Sequence, residues 1–174
     1  MAKYAATPTG RARTFGENEI IVSKTDPKGR ITYANDVFLR VAGYAESEIL
    51  GAPHSILRHP DMPRCVFKLL WARIEAKREI FAYVKNMARN GDHYWVFAHV
   101  TPTFNEAGEI SAYHSNRRLP DPAAVEKVEP LYAALLAEEA RHDNAKSGLE
   151  AGVRMLNEKI DETGMVYDEF VFTL

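Results

Sequence analysis

Charged side chains and prolines lie close together in residues 53–63, the part of the sequence most suited to holding a ligand. Arg58 offers a planar fork of donors that suits a phosphate or a carboxylate. Asp61 stands just before a helix predicted to begin near Pro63, where a carboxylate can accept hydrogen bonds from free backbone amides. Pro60 and Pro63 favour extended backbone in the residues before them. The segment therefore predicts a pre-shaped binding loop, unless Arg58 and Asp61 simply pair with each other and brace it.

Histidine and cysteine suggest metal or redox chemistry only weakly. His93 and His99 share one face of a predicted strand, but a span of about 20 Å is too long for one shared metal. The single Cys65 is interpreted as a small buried apolar residue in a reducing compartment. Haem stays open as an alternative although the sequence has no Cys-x-x-Cys-His motif. The candidate haem ligands are His54, His59, His93, His99, His114 and His142.

Composition excludes several classes of function. The 174 residues are 46% apolar, enough for one compact domain and one further element, and the net charge of −2 gives no footprint for nucleic acid. No run of eighteen apolar residues and no apolar stretch after the basic first residues occur, so we expect no membrane span, no secretory signal and a cytoplasmic location. Catalytic signatures such as phosphate loops, zinc helices and nucleophile elbows are missing, so no enzyme is predicted.

The elements that must position residues 53–63 are predicted from periodicity and turn signals. Asn35 is a plausible cap for a helix that Gly43 closes, and Asn90-Gly91 is a strong hairpin signal. Strands grouped before and after the helices, rather than alternating with them, predict an α+β fold with an antiparallel sheet and helices on one face. Strands are predicted at residues 19–25, 30–34, 80–86, 93–102 and 109–117, and helices at 35–43, 45–50 and from 63 to about 74.

A different region begins after Pro120-Asp-Pro122. An apolar stripe from Val125 to Ile160 predicts two helices, or one helix interrupted around residues 143–148, which serve either core packing or dimerisation. The apolar residues 165–174 are expected to dock on a protein surface. The sequence thus divides into a flexible arm at 1–15, a sheet-containing domain at 16–119 and a helical extension with an apolar tail at 120–174.

The residues at 53–63, 84–86, 90–96 and 128–132, in this order, resemble the PAS domain of bacterial aerotaxis receptors. The resemblance covers about Ile31 to Tyr132. It implies a five-stranded antiparallel sheet with short helices on one face, followed here by C-terminal helices. It also implies a pocket between the concave sheet face and the helices, which FAD fills in the aerotaxis receptors.

The resemblance also implies a set of cofactor-binding residues. An asparagine beside a flavin ring can donate to one ring atom and accept from another, which suits a redox reporter. Each candidate has a plainer structural interpretation, as a loop brace, a core residue or a turn former. The candidates carried over by motif, with one aromatic from the apolar face of the third helix, are Asn35, Arg58, His59, Asp61, Trp71 and Asn86.

One departure from the family pattern concerns the aromatic that covers the ring. Flavin-binding relatives carry a tryptophan after the long helix, whereas the present sequence has Ile80 at that position. Phe81 or Tyr83 could replace it only if the strand shifts by one residue, since such a shift reverses the face. A smaller ligand or an empty pocket therefore stays open.

Taken together, these features predict a signalling sensor that detects redox state or oxygen through bound FAD. The signal would pass to a partner protein such as a chemoreceptor or a kinase, and a homodimer is expected. A cofactor-free interaction adaptor and a haem-based sensor are the alternatives. A light-oxygen-voltage photosensor is not expected, because Pro63-Arg-Cys-Val-Phe67 does not reproduce its Asn-Cys-Arg-Phe sequence.

Overall fold

The computed structural model describes residues 6–174. They form five strands and six α-helices, with one 3₁₀ turn at His54–Leu57. The strands are β1 (Ile21–Thr25), β2 (Ile31–Ala34), β3 (Ile80–Met87), β4 (His93–Phe104) and β5 (Ile110–Arg118). The helices are α1 (Asp36–Ala42), α2 (Glu46–Ile49), α3 (Arg64–Glu75), α4 (Pro122–Ala140), α5 (Ala145–Asp161) and α6 (Tyr167–Phe170).

The sheet is antiparallel and has the order β2-β1-β5-β4-β3. This confirms the predicted five-stranded sheet, in which the first two strands form a hairpin and the last three follow the long helix. One row of directly paired residues crosses four strands of the sheet. From β3 to β1 it consists of Ala82, Ala98, Arg117 and Ile21. Residues in one such row point to the same side of the sheet.

We call the side of the sheet that carries Arg117 the inner face, because Arg117 contacts His54 in the 3₁₀ turn and Phe38 of α1 there. Alternation places Asn86 and Tyr94 on this face as a directly opposed pair, and both are buried. The opposite, outer face carries stacked rings. These are Phe81, Tyr83, Phe97 and His99.

Local signals fix the short helices. The Asn35 side chain accepts a hydrogen bond from the backbone of Phe38 and so caps α1, as predicted. Gly43 ends the helix in a left-handed conformation with φ of 73°, which a glycine adopts without strain. α1 therefore ends close to the residue where the sequence predicts it to end.

The sequence predicted a flexible arm at residues 1–15, but residues within 9–15 bind to the segment around Gly91. The backbone of Thr9 donates to Gly91, and Arg13 both donates to His93 and forms an ion pair with Asp92 at 3.2 Å. At Gly91, a Cβ would lie 2.1 Å from the carbonyl oxygen of Thr7, so the close approach of the arm requires glycine there. Residues 1–5 of the predicted arm lie outside the described residues.

The chain divides into two compact units. The first contains residues up to 59 and residues 74–120; the second contains residues 60–73 and 121–174. The division after Pro120 lies next to the predicted one, but the sequence did not separate 60–73 from the sheet domain. Most of α3 therefore belongs to the same unit as the C-terminal helices.

In the second unit, α4 and α5 are two separate helices that pack on each other. Asp121 caps α4, and Asn144 caps α5 by accepting from Ser147. Gly148 lies inside α5 rather than in the predicted interruption, whose extent was therefore too long. The stripe residues Val128, Leu135 and Leu156 are buried, which fits core packing.

The apolar tail is ordered as the short helix α6. Phe170 and Val171 are buried, and the carboxylate of Asp168 accepts two hydrogen bonds from Arg73 of α3, at 2.8 and 2.9 Å. The guanidinium of Arg73 also lies over the ring of Tyr167, at 5.1 Å from its centre. An ion pair and apolar burial together hold the tail in the second unit.

Candidate functional site

Three of the six candidate site residues meet in the first unit. Arg58 forms an isolated antiparallel bridge with Asn86, which brings the loop after the 3₁₀ turn against the outer edge of β3. Asn86 and His59 are each only 4% exposed, whereas Arg58 is exposed. The ring of His59 also lies edge-on to that of His93, with 5.9 Å between centres. The bridge thus places the backbone of Arg58 beside Asn86, whereas the ring of His59 lies against His93, whose side chain the register directs to the outer face.

Asn35 lies in the same unit, but its amide contacts backbone groups. Its side-chain oxygen accepts hydrogen bonds from the amides of Phe38 and Val22, both at 3.0 Å. Its side-chain nitrogen donates to the carbonyl oxygen of Ile20 at 2.9 Å. These bonds join the start of α1 to β1, so the structure shows a positioning role for Asn35.

Asp61 and Trp71 belong to the second unit. Asp61 is exposed and Trp71 is partly buried on α3. The first amides of α3 interact with a carboxylate that the sequence did not single out. Glu139 of α4 accepts from the backbone of Cys65 at 2.8 Å and of Arg64 at 3.2 Å.

The inner face has no aromatic wall from β3. The register keeps Ile80 on the inner side, where it is 1% exposed. Phe81 and Tyr83 therefore lie on the outer face, where Phe81 stacks on His99 with 4.2 Å between ring centres. The one-residue shift that would have turned an aromatic inward does not occur.

A second polar group on the inner face lies between β1, β5 and the 3₁₀ turn. Arg117 is 4% exposed, and one of its terminal nitrogens, Nη2, donates to the hydroxyl of Ser23 at 2.8 Å and to Nε2 of His54 at 2.6 Å. Its guanidinium carbon lies 5.8 Å from the centre of the Phe38 ring. Because Arg117 is the donor, His54 must accept at Nε2 and carry its proton on Nδ1.

The charges in this group follow from burial. Desolvation, and then the charge of Arg117, lower the pKa of His54 from its ordinary 6.5 to about 3, so that the imidazole is neutral at pH 7. Burial lowers the pKa of Arg117 to about 10, which leaves the guanidinium charged. Burial also raises the pKa of Tyr94, whose phenol stays neutral. The buried cation is thus surrounded by neutral groups.

Two buried polar atoms beside this group have no hydrogen-bond partner among the described residues. They are the other terminal nitrogen of Arg117, Nη1, and the hydroxyl oxygen of Ser115. Leaving a buried donor unpaired costs about 1–3 kcal/mol, and more when the donor is charged. Such atoms in an otherwise well-paired core mark a place where a ligand group can form the missing bonds.

Sequence reasoning did not identify Arg117 or Ser115, and it considered His54 only as a haem ligand. The available signal was alternation: on a strand whose other inner residues are Tyr113 and Ser115, Arg117 falls at a position that should be buried. However, a charged residue so close to the end of a strand is ordinarily interpreted as exposed to solvent. Its partners His54 and Ser23 are distant in sequence, so no local pattern reveals them.

Residues 6–174 contain no cluster of three or more histidine, cysteine, aspartate or glutamate side chains that could hold a metal ion. Within the same range, no helix has the length and apolar character needed to cross a bilayer.

Comparison with known proteins identifies the relatives of this arrangement. Residues 31–116 match the family model described as the PAS fold. The aerotaxis receptor of Escherichia coli K12 is 42% identical over 123 residues, which are 71% of the chain and 24% of the receptor. The nitrogen fixation regulatory protein of Klebsiella pneumoniae is 30% identical over 99 residues, 57% of the chain and 20% of that protein. The chain thus spans a quarter or less of the length of these relatives.

Solved structures give the same fold. A light-oxygen-voltage domain from work on a flavin analogue has a TM-score of 0.58 at 19% identity, covering 64% of the chain and 84% of that domain. The dark structure of the blue-light photoreceptor aureochrome 1 has a TM-score of 0.54 at 26% identity, covering 70% of the chain and 84% of that structure.

Proposed function

We propose, from the premise that residues 31–116 form a PAS domain resembling that of bacterial aerotaxis receptors, that the chain is a signalling sensor whose ligand is a flavin. The observation that carries the proposal is the buried amide of Asn86 on the inner face, with the backbone of Arg58 held beside it by one bridge. The resemblance in the sequence assigned both residues, together with His59, to cofactor binding. The bridge between Arg58 and Asn86, which lie 28 residues apart in the chain, supports this assignment.

The chemistry of the inner face suits a planar ligand with hydrogen-bond acceptors on its edge. Asn86 can both donate and accept, and the unpaired Nη1 of Arg117 with the hydroxyl of Ser115 offers further hydrogen bonds. Phe38 and Tyr94 supply apolar ring surface on the same side. A bound flavin would supply reversible reduction, and the residues of this chain would orient it and tune its electronics.

For the identity of the flavin we propose FAD, the cofactor of the aerotaxis receptors. Arg58 is exposed, and its guanidinium has the charge and the planar fork of donors that suit a phosphate at the rim of the site. Redox state or oxygen is the proposed stimulus. A partner protein, such as a chemoreceptor or a kinase, would receive the signal in the cytoplasm, and the chain itself would perform no catalysis.

An absorbance spectrum of the purified chain tests the proposal. The expected result is the spectrum of an oxidised flavin, and chromatography of the released chromophore should identify it as FAD. An intense Soret band would establish haem instead. A colourless protein that also fails to bind added FAD would overturn the proposal and favour the interaction adaptor.

Substitution of Asn86 locates the site. Asn86→Ala should lower the ratio of flavin to protein, because it removes an amide from the buried inner face. The matched control is Asn116→Ala, since Asn116 lies on β5 with its side chain on the outer face, bonded to His114 at 3.0 Å. Equal flavin content in both folded variants would contradict the assignment.

Dimerisation remains a proposal, and the buried part of the apolar stripe is not available to it. The stripe residues Val128, Leu135 and Leu156 are already buried within a single chain. A mass corresponding to two chains at micromolar concentration would support a homodimer, whereas a monomer mass would count against it.

A further inference from the structure

The buried cation of the inner face has no assigned role among the candidate residues inherited from the family motifs. Arg117 lies on β5, two strands away from Asn86, with its side chain directed toward α1 and the 3₁₀ turn. Folding removes the guanidinium from water, since the residue is only 4% exposed. A cation in such a place requires either a counter-charge or a full set of acceptors.

The partners that the fold provides are neutral acceptors. Ser23 and His54 both bind the same terminal nitrogen, Nη2. His54 stays neutral at pH 7, and Tyr94, whose ionised form would raise the pKa of Arg117, stays protonated. Among the described residues no carboxylate forms an ion pair with Arg117. The positive charge is thus held in place without being neutralised.

The remaining donor sites point to where a ligand group would bind. Nη1 of Arg117 and the hydroxyl of Ser115 are both buried and both without a partner in residues 6–174. Ser115 precedes Arg117 by two residues on the same strand, so both side chains lie on the inner face. The row that contains Arg117 continues through two alanines, Ala98 and Ala82, whose small side chains extend little above the sheet.

We propose that Arg117, oriented by Ser23 and His54, is the recognition residue for a negatively charged or strongly hydrogen-bond-accepting group of the ligand, such as a carboxylate or the carbonyl edge of a heterocyclic ring. The hydroxyl of Ser115 is the second contact to the same group. This inference rests on the proposed function, since it names what the inner face recognises in the small molecule. For a flavin, the group is an acceptor on the ring system, and the buried charge favours forms of the ring that carry negative charge.

The orienting network explains how the guanidinium keeps a fixed direction. The bonds from Nη2 to two different elements, β1 and the 3₁₀ turn, fix the plane of the fork. Since the five donors of an arginine lie in one plane, fixing Nη2 also fixes the direction of Nη1. His54 and Ser23 are therefore positioning residues, and Arg117 is the contact residue.

The test measures FAD affinity of the purified chain and of four single-site variants, using fluorescence titration of ligand-free protein. Arg117→Met should weaken binding about ten- to hundredfold, the range for loss of a charge-assisted hydrogen bond. Arg117→Lys keeps the charge and should lose less than Arg117→Met. Ser115→Ala should weaken binding by a smaller factor. The matched control is Arg118→Met, which removes the adjacent exposed arginine on the opposite face and should leave affinity unchanged.

A second arm separates failure of the inference from failure of the proposed function. Thermal unfolding is followed with millimolar malate or citrate as small carboxylate probes. If FAD binds wild type and Arg117→Met equally, the inference is wrong while the flavin function stands. If FAD does not bind wild type, the flavin function fails; stabilisation by the carboxylates in wild type but not in Arg117→Met then supports the inference. If FAD does not bind wild type and the carboxylates stabilise both proteins equally, or stabilise neither, the inference about Arg117 is overturned.

Discussion

Glu139 in the second unit and Arg117 in the first are both nearly inaccessible, 5% and 4% exposed, but their partners differ. Glu139 pairs with the Arg64 guanidinium at 2.9 Å and also accepts from two backbone amides at the start of α3. Arg117 has only neutral acceptors on one nitrogen and no partner in the described chain for another.

The difference indicates what each charge is for. A buried charge whose partners all come from the chain contributes to the fold, and removing it leaves those partners unsatisfied. A buried charge with an unpaired donor weakens the fold unless something else binds it. We therefore interpret Glu139 as structural and Arg117 as a ligand contact.

Replacing Glu139 by methionine should have the largest effect on stability. Glu139→Met leaves the amides of Arg64 and Cys65 without their acceptor and the Arg64 charge without its partner, a loss on the order of 3 kcal/mol. Urea unfolding followed by circular dichroism measures it. A loss below about 0.5 kcal/mol, within the range of ordinary surface substitutions, would contradict a structural role for this carboxylate.

The close packing around Glu139 predicts the next effect. A Cβ at Gly148 would lie 2.3 Å from the carbonyl oxygen of Glu139, so Gly148→Ala should destabilise by about 1–3 kcal/mol. The sign is diagnostic, because alanine inside an unhindered helix is favoured over glycine by about 1 kcal/mol. Glu150→Ala, at an exposed position of the same helix, is the control and should change stability by less than about 0.5 kcal/mol.

The neutral His54 predicts a smaller, pH-dependent effect. Its folded pKa of about 3 lies below the ordinary 6.5, so the unfolded chain binds a proton at His54 as the pH falls below 6.5 and the folded chain does not. Its contribution is therefore fully present above pH 6.5 and is lost as the pH falls toward 3. His54→Gln keeps an acceptor for Arg117 but does not titrate. The melting temperature should therefore decrease less between pH 7 and pH 5 in this variant than in wild type.

An equal fall of the melting temperature in both proteins between pH 7 and pH 5 would show that His54 is protonated in the folded protein. Nε2 could then not accept a hydrogen bond from Arg117 at pH 5, since a protonated imidazole has no acceptor.

What the sequence predicts well is local. The cap at Asn35 and the turn at Gly91 depend on residues a few positions away, so alternation, caps and turn residues sufficed to predict the five strands and the first helix. The resemblance brought Arg58 and Asn86 into one candidate site, and the bridge between them depends on a pairing no local pattern reveals.

What the sequence did not predict depends on contacts between distant residues. Glu139 lies 75 positions from Arg64, and on α4 it looks like any polar residue of a solvated face. Gly148 looked like part of a break, although it allows two helices to approach closely. Arg117 and His54 are 63 positions apart, so neither suggested a buried network.

The most direct test of the account compares thermal unfolding of wild type and Arg117→Met, each without ligand and with saturating FAD. Without ligand, Arg117→Met should be as stable as wild type or more stable, because an apolar side chain replaces an unneutralised buried charge and Ser23 can still bond to His54, 3.3 Å away. With FAD, wild type should gain markedly more than the variant. A ligand-free variant that is about 2 kcal/mol less stable than wild type would show that Arg117 serves the fold. Equal stabilisation of both proteins by FAD would show that Arg117 does not contact the ligand.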